Sequence, residues 1–291
     1  MSSSPTPRIR SRQIAESDLD AVATLLATGF PHHNRQFWLR VFAGLRNHST
    51  PAGYPKYGYL LECGGAPVGV ILLIFSKVRS GADFTTRCNV SSWYVEPAFR
   101  SYASALVSQA LKVKNVTYLN ISAAPHTRTI VEAQGYSRYS NGLFIAAPVL
   151  NSLFNVTRAK IFPAQTCPDA HYDSVEQDLL LDHAACGCIS LWCVTSERAY
   201  PFVFRPRVIK GLFACTQLIY CSDIENFIRF ARPIGMFLTM RGRPLVIIDS
   251  NGAIPGLVGK YLNGRMPKYF KGPDRPRLGD LAYTEAALFG V

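Results

Sequence analysis

Residues 93–111, WYVEPAFRSYASALVSQAL, constrain the fold of this 291-residue chain more than any other stretch. An aromatic and β-branched run stops at Pro97. A short linker then ends in Arg100, and small residues lead into a helical apolar pattern carried by Leu106, Val107, Ala110 and Leu111. The pattern predicts strand, turn and helix. The first N–H groups of a helix lack carbonyl partners and the aligned peptide dipoles add partial positive charge, so such a turn can receive a phosphate or pyrophosphate. Ser101, Tyr102, Ala103, Ser104 and Ala105 are the candidate donors. Ala103 and Ala105 are small enough for a ligand to approach the backbone, and Arg100 adds a positive charge beside them.

At these residues the sequence resembles the GNAT superfamily of acyl-CoA-dependent N-acyltransferases. The family pattern is an apolar strand ending in Val-x-Pro, then Arg or Gln, two residues, Gly, one residue, and Gly or Ala. Val95, Pro97, Arg100, Ala103 and Ala105 stand in those places, with Ala103 where the family most often has Gly. A second stretch, EAQGY at 132–136, resembles the family's closing segment Tyr-Glu-x-x-Gly-Phe. The resemblance covers residues 8–148. It implies acetyl-CoA or another acyl-CoA as co-substrate, held by Tyr94, Val95 and residues 100–105. Two departures bear on catalysis: Val131 stands where many members have Tyr, and Ala124 and Pro125 lie where an Asn is common.

The element order read along the chain agrees. Residues 8–14 predict an edge strand, and SDLDAVATLLATGF a helix with Ser17 as N-cap and Asp20 at the third helical position. A second helix starts near Asn34. YGYLLE and PVGVILLIFSKV are apolar runs joined through Gly64 and Gly65, a hairpin signal. Then come the strand TTRCNVSSWYV, a helix over 101–113, the strand VTYLNIS, a helix over 125–134 stopped by Gly135, and a strand near 143–147. Helix, helix, hairpin, strand, helix, strand, helix, strand is the order of the GNAT fold.

Beyond it, residues 149–185 read as a connection through Cys167 and Pro168 and a helix over 174–185. CISLWCVTS and AYPFVFRP form a hairpin, LFACTQLIYC a strand, and SDIENFIRFARPIGMFLTM one or two helices interrupted at Pro233. PLVIID adds a strand, and LAYTEAALFGV ends the chain as another. The fold class is α/β (α+β), a GNAT-like mixed twisted sheet flanked by helices in two tandem GNAT-like halves. The resemblance implies that residues 1–148 are a GNAT-like acyl-CoA-binding domain, and 149–291 are expected to be a diverged GNAT-like or accessory α/β domain, without a second turn motif.

Composition bounds the rest. With 48% hydrophobic and 17% charged residues the chain can bury a core. Net charge is +12, and residues 1–150 carry 15 Lys and Arg against 7 Asp and Glu, a field suited to CoA, nucleic acid or an acidic membrane surface. The start MSSSPTPRIRSRQ has no apolar core and reads as a frayed beginning, and GVILLIF is too short to span a bilayer, so the expected location is cytoplasmic. The eight cysteines are expected reduced and buried. His183, Cys186 and Cys188 lack zinc-like spacing, and no metal is expected.

The leading function, implied by the resemblance, is acyl transfer from an acyl-CoA to an amine on a small molecule or peptide, by direct attack in a ternary complex. In that chemistry positioning supplies much of the rate, and a backbone N–H in the strand ending at Val95 would polarise the thioester carbonyl. Glu96 and His126 are the candidates for proton transfer, with Tyr136 a remote choice for the acid. The resemblance implies an acceptor side built from residues 19–42 and 79–84, with the second half as a further candidate. A non-catalytic double-GNAT-like binding module, in which Val131 in place of the Tyr marks lost chemistry and the basic field binds a partner, is the alternative. Nucleic-acid binding through residues 260–277, where basic residues interleave with aromatics in what reads as a loop, ranks third.

Overall fold

The apolar run after the Gly64–Gly65 turn becomes the centre of a sheet. In the computed structural model, which describes residues 9–80, 83–151, 159–166, 172–209, 211 and 213–290, every residue from 68 to 76 is buried. Covering on both faces explains why this strand shows no polar alternation. Leu72, Leu73 and Ile74 are at most 1% exposed. Each such side chain contributes about 1.5–3 kcal/mol on burial.

The chain forms two compact units, one of Met1–Asn120 with Lys271–Asp274, the other of Ile121–Phe270 with Arg275–Val291. The first contains β1 (Ile9–Gln13), α1 (Leu19–Gly29), α2 (Arg35–Asn47), β2 (Gly58–Cys63), β3 (Ala66–Ser80), β4 (Asp83–Val95), α3 (Ala103–Ala110) and β5 (Val116–Asn120). Strands β1 to β4 pair antiparallel in chain order, and β5 runs parallel to β4. Gly64 and Gly65 both have positive φ, as a two-residue hairpin turn requires.

The second unit contains α4 (Arg128–Ala133), β6 (Ser137–Ala146), β7 (Lys160–Pro163), α5 (Ser174–Ala185), β8 (Ile189–Val194), β9 (Ala199–Ile209), β10 (Phe213–Cys221), α6 (Ile224–Arg229), α7 (Ala231–Thr239), β11 (Leu245–Ser250), β12 (Gly259–Lys271) and α8 (Glu285–Leu288). Strands β7 to β10 pair antiparallel in chain order, and β11 runs parallel to β10. This repeats the pairing senses of β1 to β5, with α5 before the hairpin and α6 and α7 at the parallel crossover. Strand β6 pairs antiparallel with both β11 and β12. Its core gathers Phe144, Phe202, Phe204, Phe227, Phe230, Ile234 and Ile248.

The pairing of β6 has a measurable consequence. A fragment of residues 1–148 carries β6 without either ladder partner. It is expected to show no cooperative thermal transition by circular dichroism, whereas the full chain melts cooperatively. A fragment that melts as sharply as the full chain contradicts this.

Several local expectations change. Ser17 is not a cap: the chain enters α1 through a 3-10 turn, Glu16–Asp18, and the Asp18 carboxylate takes the Ala15 N–H and Arg12. The break in residues 222–240 falls at Phe230, so Pro233 sits in the first turn of α7, where its missing N–H costs nothing. The terminal segment expected as a strand holds the short helix α8, with Glu285 buried and accepting from Ser122 at 2.6 Å. The basic tail expected as a loop is largely β12. Two of its cations serve the fold: Lys268 is buried 3.0 Å from Asp249, and Arg277 donates to the Cys221 carbonyl. The Cys167–Pro168 connection, residues 1–8 and residues 81–82 lie outside the described residues.

Cys186 and Cys188 are free thiols, and burial pushes Cys188 up to about 11. His183 is fully buried, with Nδ1 2.7 Å from the Leu179 carbonyl and Nε2 accepting the Tyr283 N–H at 3.0 Å. Both ring nitrogens are committed, which is a structural role. No helix among the described residues is long and apolar enough to cross a membrane.

Candidate functional site

In the first unit, β4 and β5 pair from Thr86↔Val116 to Asn89↔Leu119, and there the parallel ladder ends. Strand β4 runs on to Val95. Parallel strands joined by a helix leave a crevice at their carboxyl ends, and such crevices take ligands in open α/β sheets. The buried Asn89 amide sits at the parting point and donates to the carbonyls of Leu119 and Val90, each at 3.3 Å.

A bulge turns the end of β4. Opposite β3, the register passes from Leu72↔Ser91 to Val70↔Tyr94, so β4 has one extra residue, and Ser92 takes φ +49°. A non-glycine residue at positive φ is uncommon, and bulges re-aim the residues after them. The next bond defines the new direction. Glu96 N–H donates to Val68 O at 2.9 Å, which makes Val95↔Gly69 a non-hydrogen-bonded pair. In such a pair the N–H and C=O face away from the partner strand. Val95 therefore presents its own N–H on the side of β4 that β5 occupies lower down.

The turn follows at once. Residues Pro97–Tyr102 form a 3-10 helix that continues into α3. The Ala103 N–H already donates to the Arg100 carbonyl, so this donor is spent in the turn itself. Tyr102 supplies no side-chain cap, and the first turn of α3 contains no acidic residue. Arg100, Ser101, Tyr102, Ser104 and Ala105 are exposed, and Ala103 is half-buried. Leu106, Val107 and Ala110 anchor the opposite face of α3 in the core. The stretch thus joins a buried strand end, Val95, to a solvent-facing turn that carries one cation.

Tyr94 is fixed by a contact that the sequence does not announce. Gly29, the last residue of α1, lies against the Tyr94 ring, and a Cβ there would fall 2.3 Å from the ring carbon Cγ. The connection after Gly29 is aromatic: His33 stacks on Phe37 at 4.1 Å, and Phe30 and His33 pack against Trp38 at 5.5 and 5.9 Å. Burial, followed by the charge of His32, holds the His33 imidazole below its ordinary range and favours the neutral ring. Its only signal in the sequence is the pair His32–His33 among Phe30, Phe37 and Trp38.

The two candidates for proton transfer part company. Glu96, half-buried, belongs to the first unit with the turn, whereas His126, exposed in the 3-10 turn Pro125–Thr127, belongs to the second. Tyr136 is buried in the second unit, and Val131 is buried at 3% exposure as part of its core.

Solved structures share this fold. A GCN5-related N-acetyltransferase from Kribbella flavida matches with a TM-score of 0.58 and 14% identity, over 91% of this chain and 71% of its own. A GCN5-related N-acetyltransferase from Anabaena variabilis ATCC 29413 matches with a TM-score of 0.59 and 8% identity, over 90% of this chain and 72% of its own. Eis1 from Mycobacterium abscessus matches with a TM-score of 0.52 and 12% identity, over 94% and 74%. At these identities the likeness is one of fold. No protein-family profile and no curated protein matches the sequence.

Proposed function

We propose, for a chain with the GNAT fold, that it moves an acyl group from an acyl-CoA to an amine. Residues 1–148 act as the acyl-donor half and 149–291 as a diverged accessory half. The observation that carries this reading is the bulged, splayed end of β4, which aims the Val95 N–H into the crevice directly before a cationic turn.

Arg100 and the backbone of residues 101–105 would hold the pyrophosphate. Binding exchanges the 3-10 bonds of the turn, which have poor geometry, for bonds to an anion. A neutral hydrogen bond contributes about 1 kcal/mol net and one to a charged group about 1.5–3 kcal/mol, so the exchange is favourable. The thioester supplies the activated acyl carbon. The Val95 N–H donates to its oxygen as charge develops there, an oxyanion role that needs no particular side chain. The amine nitrogen forms the C–N bond, the C–S bond breaks, the amine loses a proton and the thiolate gains one. Glu96 is the group in the turn's own unit that can accept the first proton, directly or through water. Tyr94 and the aromatic residues around His33 line the way in for the acceptor.

The test is a CoA-release assay with several acyl donors and pooled amines, beside calorimetry with acetyl-CoA. Turnover with at least one donor and amine is the expected result. No turnover and no CoA binding defeats the proposal. Binding without turnover favours the second reading, a non-catalytic GNAT-like binding module, which the buried Val131 in place of a tyrosine acid supports.

A further inference from the structure

The second unit repeats the splay of the first and then fills it. Strands β10 and β11 pair only from Cys215↔Leu245 to Gln217↔Ile247. Past that point β10 is bulged against β9, because its register passes from Leu218↔Phe204 to Tyr220↔Val203 with Ile219 left over. These are the two departures seen in β4, in the same order.

Residues 279–281 lie along the β10 edge so exposed. The Leu281 N–H donates to Ile219 O at 2.7 Å and the Cys221 N–H to Gly279 O at 3.0 Å, with Tyr220 opposite Asp280 in an antiparallel bridge. Strand β9 occupies the other edge of β10, at Val203 and Phe202. The segment therefore takes the side from which β11 has parted. Its fit is close: Gly279 has φ +76°, and a Cβ there would come within 2.9 Å of Cys221 Sγ and of Ile224 Cδ1. Leu281 and Ala282 are 1% and 2% exposed. Arg277 holds the approach, with its guanidinium on the Cys221 carbonyl and over the Tyr220 ring at 5.0 Å.

The turn after β10 is also unlike its counterpart. Asp223 caps α6, its carboxylate accepting the Glu225 N–H at 2.9 Å, and Glu225 adds a second negative charge in the first turn. Where the first unit places Arg100 before an uncapped helix, the second places two carboxylates. A pyrophosphate would meet repulsion and an occupied donor.

We infer that residues 279–281 are a built-in occupant of the second cleft, standing along the strand edge that corresponds to the one beside Val95 in the first half, where the function proposed above puts the thioester of the acyl donor. The chain therefore takes one acyl-CoA, through the turn at Arg100, and the second half is a closed copy.

Calorimetry of the full chain with acetyl-CoA tests the stoichiometry. One site per chain is expected, with affinity at least tenfold weaker in Arg100→Glu and within twofold of the parent in Asp223→Asn. Two sites, or one site that survives Arg100→Glu, overturns the inference. Amide hydrogen exchange tests the occupant without any ligand. The Leu281 and Cys221 amides are expected to exchange as slowly as those paired between β9 and β10, and Arg277→Ala to accelerate them at least tenfold. Fast exchange in the parent chain overturns the inference. If acetyl-CoA does not bind at all, the proposed function falls, and the exchange of Leu281 alone decides whether the cleft is filled.

Discussion

Arg100→Glu is expected, on the function proposed above, to raise the KM for acetyl-CoA by about 10- to 100-fold, because the proposed charge-assisted contact to the pyrophosphate, worth about 1.5–3 kcal/mol, is lost and each 1.4 kcal/mol is a factor of ten. Arg100 is exposed, so the melting temperature should stay within a degree or two of the parent. The kcat at saturating acetyl-CoA should change much less than KM, since in that proposal the pyrophosphate contributes uniform binding away from the bond being made. Steady-state kinetics over a range of acetyl-CoA concentrations, with a thermal melt alongside, gives all three readings. An unchanged KM places the pyrophosphate elsewhere. Ala103→Gly provides the complementary reading: it removes the Cβ at the half-buried position of the turn and is expected to lower KM a few-fold if that methyl limits the approach of the anion.

The second large effect is on stability. Lys268 and Asp249 are 1% and 3% exposed at the side chain, with Nζ 3.0 Å from Oδ1. Burial raises the Asp249 carboxyl above its ordinary range, and the nearby Lys268 charge opposes that shift. Lys268→Met leaves a buried carboxylate without its counter-ion, which costs about 3–5 kcal/mol and removes on the order of 10 °C from the melting temperature. The pH dependence has a definite sign. A carboxyl whose folded pKa is raised carries no penalty below its ordinary value near 4, and a growing one as pH rises through the folded value. Without Lys268 the folded value rises further. The variant's deficit should therefore be largest at neutral pH and shrink on acidification toward pH 4. The double change Lys268→Met with Asp249→Leu should recover most of the loss, because neither charge is then left alone. Denaturant titrations of the three proteins at several pH values check both claims. A deficit that does not vary with pH would mean that lost packing, and not charge, is responsible.

Much of the fold was legible because its signals are local. Gly64 and Gly65 fixed a hairpin through their positive φ, the run 68–76 read as a buried strand, and Gly135, also at positive φ, stopped the helix before β6. The turn at 97–105 was legible as a place in the chain, from Pro97, Arg100 and the small residues after it. Its hydrogen bonding was not: nothing in the residue types reveals that the turn is 3-10 and that the Ala103 N–H is already donated to Arg100. Ser92 shows the same limit. A glycine there would have marked a bulge, whereas a serine at φ +49° is held by the strands around it and leaves no trace in composition.

Non-local pairing accounts for the remainder. The tail 260–277 has the composition of a solvated basic segment, yet β12 pairs with β6 and places Lys268 beside Asp249. No window of sequence contains both partners. Residues 279–281 likewise become a strand edge only because β11 leaves β10 early. By itself the sequence determined the order of helices and strands apart from β7, β12 and α8, the hairpins and the position of one cationic strand-to-helix turn, since these rest on periodicity, backbone freedom and residue size within a few positions. The tertiary structure alone decided which strand edges stay open, which way the Val95 N–H points and which cations are spent in the core, because each depends on residues far apart in the chain meeting in one ladder.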